Sequence, residues 1–235
     1  MAWSVIDEKL RLRLLVFLGR RKKNMRITKK IKAQMVELLE ETYRDTKPAL
    51  HFRNPFELLI AVILSAQCTD VRVNVTTARL FARAETPAAI VALGLEALEE
   101  EIRDCGLFRN KAKNIMATCR QLCEQYNGAV PADFDLLLQL PGVGRKTANV
   151  VMSIAFDQPA IAVDTHVFRV ANRLQLAVGE TPLEVEHGLQ RVIAREKWSA
   201  AHHWLIWHGR RVCKARRPLC DKCPLQKICP SSGVE

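Results

Sequence analysis

Hydrophobic and polar positions along this chain repeat with the period of about 3.6 residues that is typical of α-helices. The first such pattern covers residues 27–43 and predicts an amphipathic helix. The positions expected to share its inner face are Ile31, Met35, Leu38, Leu39 and Thr42. Residues 56–66 are nearly all apolar, so the second predicted helix should be buried on every side. No long stretch has the two-residue alternation of a strand, and the chain is predicted to be all-α.

Capping residues mark several helix starts. Asn54 precedes a proline and is followed three residues later by Glu57, which can reach back to the cap. Thr86 also precedes a proline, and Thr181 with Glu184 forms a capping box. These signals predict at least three helix N-termini, while 106–112 reads as a turn that enters a helix and Asn127-Gly128 reads as a turn.

The segment 140–151, with the sequence LPGVGRKTANVV, predicts two helices joined by a tight hairpin. Residues 136–140 read as the end of a helix, which Pro141 cannot continue. Gly142 and Gly144 permit backbone angles that other residues avoid, and they let backbone N–H groups approach an anion closely. An ordinary helix–helix turn is the alternative, since a lone G-x-G motif is weakly specific.

Two basic residues directly after the glycines favour the functional interpretation. Arg145 and Lys146 lie where a helix start normally prefers acidic groups, so an anionic partner is indicated. The same helix end, with some burial, favours a neutral and more nucleophilic amine at Lys146. Downstream, Asp164 follows an apolar run and can be half-buried, either as a helix N-cap or as a reactive carboxylate.

The charge of the chain is unevenly distributed. The net charge is +11, but residues 1–32 hold eleven Lys and Arg against two acidic residues. Residues 1–24 are interpreted either as a basic extension or as residues that are not translated, if translation begins at Met25. Their apolar part is too short for a membrane span. Seven Lys and Arg within 195–217, against one Glu, give a better reason to expect phosphate binding.

Four cysteines close together near the C-terminus indicate a metal centre. They follow the spacing C-x6-C-x2-C-x5-C and are Cys213, Cys220, Cys223 and Cys229. Two disulfides are the alternative, but four further cysteines lie scattered in apolar segments, and Cys119 and Cys123 among them are expected to be core thiols. Four thiolates alone do not distinguish zinc from an iron–sulfur cluster.

Together these motifs resemble the helix–hairpin–helix DNA glycosylases, specifically their endonuclease III branch. The match rests on LPGVGRKTA, the later VDTH and the cysteine spacing, and spans roughly residues 27–230. The resemblance implies a six-helix barrel at residues 48–157. It also implies a [4Fe–4S] cluster domain built from residues 25–47 and 158–235, with the active cleft between the two domains.

The resemblance also implies a chemistry. Such enzymes excise oxidised pyrimidines from duplex DNA through a lysine Schiff base and then cut the strand 3′ to the abasic site by β-elimination. Lys146 matches the nucleophile and Asp164 the carboxylate that assists it. The four cysteines match the ligands of the [4Fe–4S] cluster, whose role is expected to be structural.

Other matching positions are expected to contact DNA. Gln67 should enter the space left by the extruded nucleotide, Leu107 should wedge between bases, and Cys68 is read as structural. The remaining expected contacts lie in the hairpin, after Asp164 and in the cysteine region: Gly142, Gly144, Arg145, His166, Lys214, Arg216 and Arg217. The expected partner is double-stranded DNA with damaged bases or abasic sites.

We further expect a monomer without membrane association, cytoplasmic and at the nucleoid if the source is bacterial. Three alternatives stay open. A mismatch adenine glycosylase of the same fold lacks the lysine and has an extra C-terminal domain, whereas this chain ends six residues after Cys229. A non-enzymatic helix–hairpin–helix module would use the hairpin only to hold phosphate. A zinc-dependent DNA-binding protein would hold zinc at the four cysteines.

Overall fold

The computed structural model describes residues 27–46 and 48–233, and the basic extension predicted at 1–24 lies outside them. No strand occurs in these ranges, which confirms the all-α prediction. The α-helices are α1 (Lys29–Tyr43), α2 (Pro55–Leu64), α3 (Asp70–Arg83), α4 (Pro87–Leu93), α5 (Leu95–Glu101), α6 (Phe108–Tyr126), α7 (Phe134–Leu138), α8 (Arg145–Ala155), α9 (Thr165–Leu174), α10 (Pro182–Val192) and α11 (Trp198–Arg211).

The chain divides into two compact units. The central unit consists of Thr46–Ala162 with Arg195–Ser199, and the terminal unit consists of the described parts of Met1–Asp45, Val163–Ala194 and Ala200–Glu235. The six-helix barrel expected at residues 48–157 stays a prediction. No helix of the described ranges combines the length and apolar character that a membrane span requires.

Helix α2 lies at the centre of the central unit. Asn54 caps it by accepting from the Glu57 N–H at 2.9 Å, and every residue from Phe56 to Leu64 is buried. The helix packs against α3, α6 and α8, which confirms the sequence interpretation of a helix buried all round. Because each fully buried aliphatic side chain contributes about 1.5–3 kcal/mol, α2 is a rigid support for the helices around it.

In the terminal unit, α1 packs against α10, and α9 also packs against α10. The buried face of α1 differs from the predicted one, because Thr42 is exposed and Val36 and Tyr43 are buried together with Met35 and Leu39. The prediction for Thr42 was therefore wrong by one position. Its hydroxyl donates to the Leu38 carbonyl at 2.6 Å, so its hydrogen bond is made within α1.

The predicted cap residues are present, but Glu57 accepts from the Arg53 N–H at 2.7 Å and not from the N–H of Asn54 as predicted. Thr86 and Thr181 each accept from a backbone N–H three residues on, and Glu184 completes the capping box at Thr181. Asn127 ends α6 in the left-handed conformation with Gly128 after it, as expected for a turn. These local signals fix where the helices begin and end, and so where the residues of the site lie.

Candidate nucleic-acid interface and active site

The hairpin, residues 139–144, joins α7 to α8 and is held by α6. The Thr118 hydroxyl donates to the Pro141 carbonyl at 2.8 Å. Gly142 has φ 76°, and a Cβ on it would lie 2.9 Å from the Asn114 Cβ, so no other residue fits there without strain. Sequence reasoning missed Thr118 and Asn114, although their four-residue spacing on α6 puts them on one face.

Gly144 behaves differently from Gly142. It has φ −93° and ψ 175°, which any residue can adopt, and a Cβ on it would have no atom within 4 Å. The expectation of special backbone angles is therefore right for Gly142 and wrong for Gly144. A requirement for glycine at this position has to come from something that approaches the backbone from outside the protein.

Helix α8 begins with basic residues and without a side-chain cap. Gly144 is its N-cap, and its first turn has no acidic residue. Lys146 is half-buried, and the guanidinium of Arg145 lies 5.0 Å from the centre of the Phe134 ring. The positive end of the helix dipole thus meets two cationic side chains, an arrangement that suits an anion.

Gln67 and Leu107 lie on neighbouring segments of the central unit. Both have the left-handed backbone conformation that is uncommon for residues other than glycine, with φ 53° for Gln67 and φ 58° for Leu107. A Cβ on Gly106 would lie 3.4 Å from the Gln67 carbonyl oxygen, so the segments touch. The Leu107 side chain is 60% exposed, unusually high for a leucine next to a core, which agrees with the expected wedge.

Asp164 is the N-cap of α9 in the terminal unit. Its Oδ1 accepts from the Val167 N–H at 2.8 Å, and the half-buried carboxyl group follows the buried residues 161–163. The predicted cap is present. Lys146 belongs to the central unit and Asp164 to the terminal unit.

His166 lies beside Arg169 on α9. A guanidinium can only donate, so the Arg169 Nη2 donates to His166 Nδ1 at 3.1 Å, and Nε2 is the ring nitrogen left to donate to a phosphate. Burial lowers the pKa of His166, and the charges of Arg169 and Arg210 lower it further, whereas Asp164 and a hydrogen bond to the Gly209 backbone raise it. His166 is therefore a neutral donor at pH 7 and not a cation.

The four cysteines predicted as ligands line one cavity in the terminal unit. Burial raises the pKa of the Cys229 thiol to about 11 and also raises the pKa of Cys223, so deprotonation of these thiols requires the positive charge of a metal. No group of three or more His, Cys, Asp or Glu side chains in the described ranges is arranged to hold one metal ion. Four thiols around a cavity suit a cluster of several iron atoms better than a single tetrahedral zinc ion.

Two arginines of α9 hold the cysteine loop, residues 213–229. Arg173 donates to the carbonyls of Lys214 at 2.6 Å and Ala215 at 3.0 Å, and its Nη1 lies 3.4 Å from the Cys213 sulfur. Arg169 donates to the Cys213 carbonyl at 3.1 Å. Sequence reasoning did not single out either arginine, although both share a face of α9 through their i,i+4 spacing.

A buried histidine reaches the loop from α11. The Tyr43 hydroxyl lies 3.0 Å from His208 Nδ1, and His208 Nε2 lies 3.8 Å from the Cys223 sulfur. Burial lowers the pKa of His208 to about 4 and raises that of Tyr43 to about 12, so both groups are neutral. A metal-bound thiolate has no proton, so with the cluster present Nε2–H would donate to Cys223 and Tyr43 would donate to Nδ1.

The side chains of Lys214, Arg216 and Arg217 are all exposed on the cysteine loop. Arg217 has φ 50°, so the loop turns sharply just before Pro218. Because Arg173 fixes the Lys214 and Ala215 carbonyls, the loop can present these cations with little loss of backbone freedom on binding.

Two protein-family models match the sequence. The one described as HhH-GPD superfamily base excision DNA repair protein matches residues 60–195, more than half of the chain. The one described as iron-sulfur binding domain of endonuclease III matches residues 213–229, from the first to the last of the four cysteines. The second match decides between the two metals in favour of a [4Fe–4S] cluster and against zinc.

Curated relatives match over most of both chains. Endonuclease III of Escherichia coli (strain K12) is 52% identical over 202 residues, covering 84% of this chain and 95% of the relative. Endonuclease III of Rickettsia conorii is 51% identical over 203 residues, covering 85% and 97%. These similarities extend across both units and the cysteine loop.

Solved structures of endonuclease III also match this fold. A trapped endonuclease III–DNA covalent intermediate, an estranged-adenine complex, superposes with a TM-score of 0.85 at 50% identity and covers 88% of this chain and 98% of its own. A non-covalent endonuclease III–DNA complex has the same TM-score and identity. The predicted helix–hairpin–helix glycosylase fold is confirmed.

Proposed function

Since the chain belongs to the HhH-GPD superfamily of base excision DNA repair proteins, in its endonuclease III branch, we propose that Lys146 and Asp164 carry its DNA glycosylase and AP lyase activity. The activity follows from the family, whose matching relatives are endonuclease III enzymes. The observation that carries the assignment of residues is the position of Lys146 in the first turn of α8, beside an uncapped helix N-terminus.

The reaction begins with extrusion of the damaged nucleotide, because a base stacked inside a duplex is out of reach. The neutral Nζ of Lys146 attacks the sugar C1′, and the bond from C1′ to the base breaks with its electron pair leaving on the base, which takes up a proton. Opening of the sugar ring and loss of the amine protons give a Schiff base between Lys146 and C1′. Loss of a proton from C2′ then expels the 3′ phosphate and cuts the strand.

The helix dipole contributes to the first step. Nζ must lose its proton to become a nucleophile, and the positive end of α8 disfavours the charged ammonium form. The same helix end attracts the phosphate next to the lesion.

Asp164 has a different task. One of its oxygens is held by the Val167 N–H, which fixes the carboxylate at the mouth of α9. A fixed negative charge stabilises the positive charge that develops on the sugar as the base leaves, and it can relay protons to and from the amine. The capping role and the catalytic role are compatible, because the cap uses Oδ1.

The DNA-binding assignments follow the same logic. The N–H groups around Gly144 would receive a phosphate, with Gly142 and Arg145 shaping the hairpin. Gln67 and Leu107 would fill the gap in the base stack, and His166 Nε2 would donate to a flanking phosphate. The exposed cations Lys214, Arg216 and Arg217 would add backbone contacts that are sensitive to salt.

The substrate we infer is double-stranded DNA that contains oxidised, ring-saturated pyrimidines or abasic sites. Loss of ring planarity weakens stacking, so extrusion of such bases costs less than extrusion of intact ones. We also infer that the protein acts as a monomer on nucleoid DNA.

The residues that would hold the cluster are Cys213, Cys220, Cys223 and Cys229. When bound, the cluster would supply a structural cross-link among four points of a loop that has little regular structure of its own. The chain supports this link with arginine donors to loop carbonyls and with the buried imidazole of His208. The outcome is a fixed platform for the exposed cations of the loop.

Replacement of the nucleophile tests the proposal. Lys146→Gln removes the amine while keeping a side chain of similar size, so borohydride should trap no enzyme–DNA adduct. Strand cleavage should fall on the order of 10⁴-fold or more, as expected for the loss of a covalent nucleophile. Binding to abasic-site DNA should survive, because the hairpin backbone and the basic loop are unchanged.

Asp164→Asn is the companion variant. Base release should slow, but a preformed abasic site should still give some trapped adduct, because Lys146 remains. A Lys146→Gln protein that still forms the reduced adduct would show that another amine is the nucleophile. The hairpin would then be only a phosphate-binding element.

A further inference from the structure

Two cysteines that have no place in the cluster flank the segments expected to read the DNA. Cys68 directly follows Gln67, and Cys105 lies two residues before Leu107. Cys105 is fully buried in the core of the central unit, and the half-buried Cys68 packs against that core. Burial raises the pKa of the Cys105 thiol and the neighbouring Cys68 raises it further, whereas its hydrogen bond to the Thr76 hydroxyl at 3.7 Å and the charge of Lys111 lower it.

A buried lysine accompanies this pair. Lys111 is only 5% exposed, and its Nζ donates to the Leu64 carbonyl at 2.8 Å. Burial lowers the pKa of Lys111, and negative charge on Cys105 or Cys68 would raise it again. The thiolate is the form that reacts with oxidants, and the charge of Lys111 favours it at Cys105, although the effect of burial is larger and opposite.

The backbones of the two segments are in contact. The backbone at Gly106 approaches the Gln67 carbonyl so closely that an added Cβ would lie 3.4 Å away. Gln67 and Leu107 both have strained positive φ angles. A covalent bond between the neighbouring cysteines would therefore act directly on the backbone that presents these two side chains.

We propose that Cys68 and Cys105 form a redox-sensitive dithiol pair, whose oxidation by a hydroperoxide joins the Gln67 and Leu107 segments through a reversible disulfide. This inference rests on the DNA-reading roles proposed above for Gln67 and Leu107. It assigns a modification site to two residues that the resemblance leaves without a function.

The chemistry balances in two steps. The half-buried Cys68, as thiolate, attacks one oxygen of the hydroperoxide, and the O–O bond breaks to give a sulfenic acid and one molecule of water or alcohol. The Cys105 sulfur then attacks the Cys68 sulfur, the S–O bond breaks, and a second water leaves with the Cys105 proton. The two thiols lose two electrons and two protons, and a dithiol reductant restores them.

The expected consequence is loss of productive DNA binding. Gln67 and Leu107 have to enter the duplex together to hold the extruded nucleotide, and a bond between their segments restricts that adjustment. The reduced protein keeps the segments free. The pair thus couples activity on DNA to the peroxide level around the protein.

The test treats the cluster-loaded protein with hydrogen peroxide, then blocks remaining thiols with an alkylating agent and maps disulfides by mass spectrometry. We expect a peptide pair joined through Cys68 and Cys105, removed by dithiothreitol, while the visible absorbance of the cluster is unchanged. Borohydride trapping on abasic-site DNA should be lost on oxidation and return on reduction.

Matched variants make the test decisive. Cys68→Ser should keep its borohydride trapping activity after peroxide treatment. If Cys68→Ser is unstable, Cys105→Ala can be used instead and should also keep its trapping activity. Cys123→Ser is the control, because Cys123 is also half-buried and lies one helical turn from a fully buried cysteine. It should respond to peroxide like the unmodified protein.

Failure takes recognisable forms. Alkylation of both Cys68 and Cys105 after peroxide, with the cluster intact, would overturn the disulfide. A mapped disulfide that leaves trapping unchanged would overturn the proposed effect on DNA reading but not the site. Trapping that persists in Lys146→Gln would overturn the catalytic proposal alone, so the two proposals fail separately.

Discussion

The hairpin and the cysteine loop are both short irregular segments with proposed functions, but different interactions hold them. Helices enclose the hairpin on both sides, and α6 fixes it through one hydroxyl and one close contact at Gly142. The cysteine loop has only a single 3₁₀ turn, and arginines of α9 hold its carbonyls. The hairpin is thus organised by helix packing, whereas the loop depends on charged hydrogen bonds and on its cluster.

This difference indicates where each region is vulnerable. A tightly packed turn has no room for an added atom, and a loop held by donors is sensitive to the loss of a donor. The hairpin, which leads to the proposed nucleophile Lys146, is held by packing contacts and not by metal ligands. We expect the loop to gain further order when the cluster binds, because folding and metal binding are linked at such sites.

Substitution of the first hairpin glycine, Gly142, is expected to have the largest effect on the free energy of unfolding. Gly142→Ala should lower the free energy of unfolding by about 2 kcal/mol, because its φ of 76° is unfavourable for alanine and the new Cβ would meet Asn114. Thermal unfolding followed by circular dichroism measures the change. Gly144→Ala is the matched control and should alter stability by less than about 0.5 kcal/mol.

The same pair separates folding from DNA binding. If backbone N–H groups around Gly144 receive a phosphate, Gly144→Ala should weaken binding to abasic-site DNA without loss of stability. Equal stability losses in the two variants would contradict the role given to α6. Unchanged DNA affinity in Gly144→Ala would mean that no phosphate approaches that backbone closely.

A smaller effect is expected in the cysteine loop. Arg173→Lys keeps the charge but removes the fork that donates to the Lys214 and Ala215 carbonyls, at a cost of about 1–2 kcal/mol. The cluster should be lost faster to an iron chelator, as followed by its visible absorbance. Arg191→Lys, at an exposed arginine of the same unit, is the control and should lose iron at the original rate.

The smallest effect concerns pH. Burial lowers the pKa values of His166 and His203, both in the terminal unit. Such histidines bind fewer protons folded than unfolded, so their contribution to stability is complete above the unfolded pKa of about 6.5 and declines as the pH falls below it. Hydrogen exchange at pH 5 should therefore be faster in α9 and α11 than at pH 7, after correction for intrinsic rates. Equal protection at both pH values would contradict this, and His203→Gln should reduce the difference.

Much of both units could be predicted from sequence because the signals are local. Asn54, Thr86 and Asp164 cap helices by accepting from a backbone N–H three residues later, so the local sequence is enough to predict these helix starts. The hairpin was predictable for the same reason, although Gly144 shows that a glycine can be present without an unusual backbone angle.

Long-range contacts explain what sequence reasoning missed. Nothing in the pattern of α1 indicates that Tyr43 rather than Thr42 turns inward, because its partner lies on α11. The sequence around Lys111 is that of an ordinary surface lysine, and its burial follows from the long-range hydrogen bond to the Leu64 carbonyl. Buried polar partners are chosen by tertiary packing, and the 3.6-residue period carries no information about them.

The contact between Tyr43 and His208 also has a consequence for the order of assembly during synthesis. The two residues are 165 positions apart, and Lys32 donates to the Leu176 carbonyl across 144 positions. A ribosome releases the chain from its N-terminus, so residues 46–162 can fold while the partners of α1 are still unmade. The contacts of α1 with Leu176 and His208 can form only after those residues have been synthesised. Closing so long a loop is slow. The cysteine loop follows all eleven described α-helices in the chain, so its cluster would be inserted after they have been synthesised.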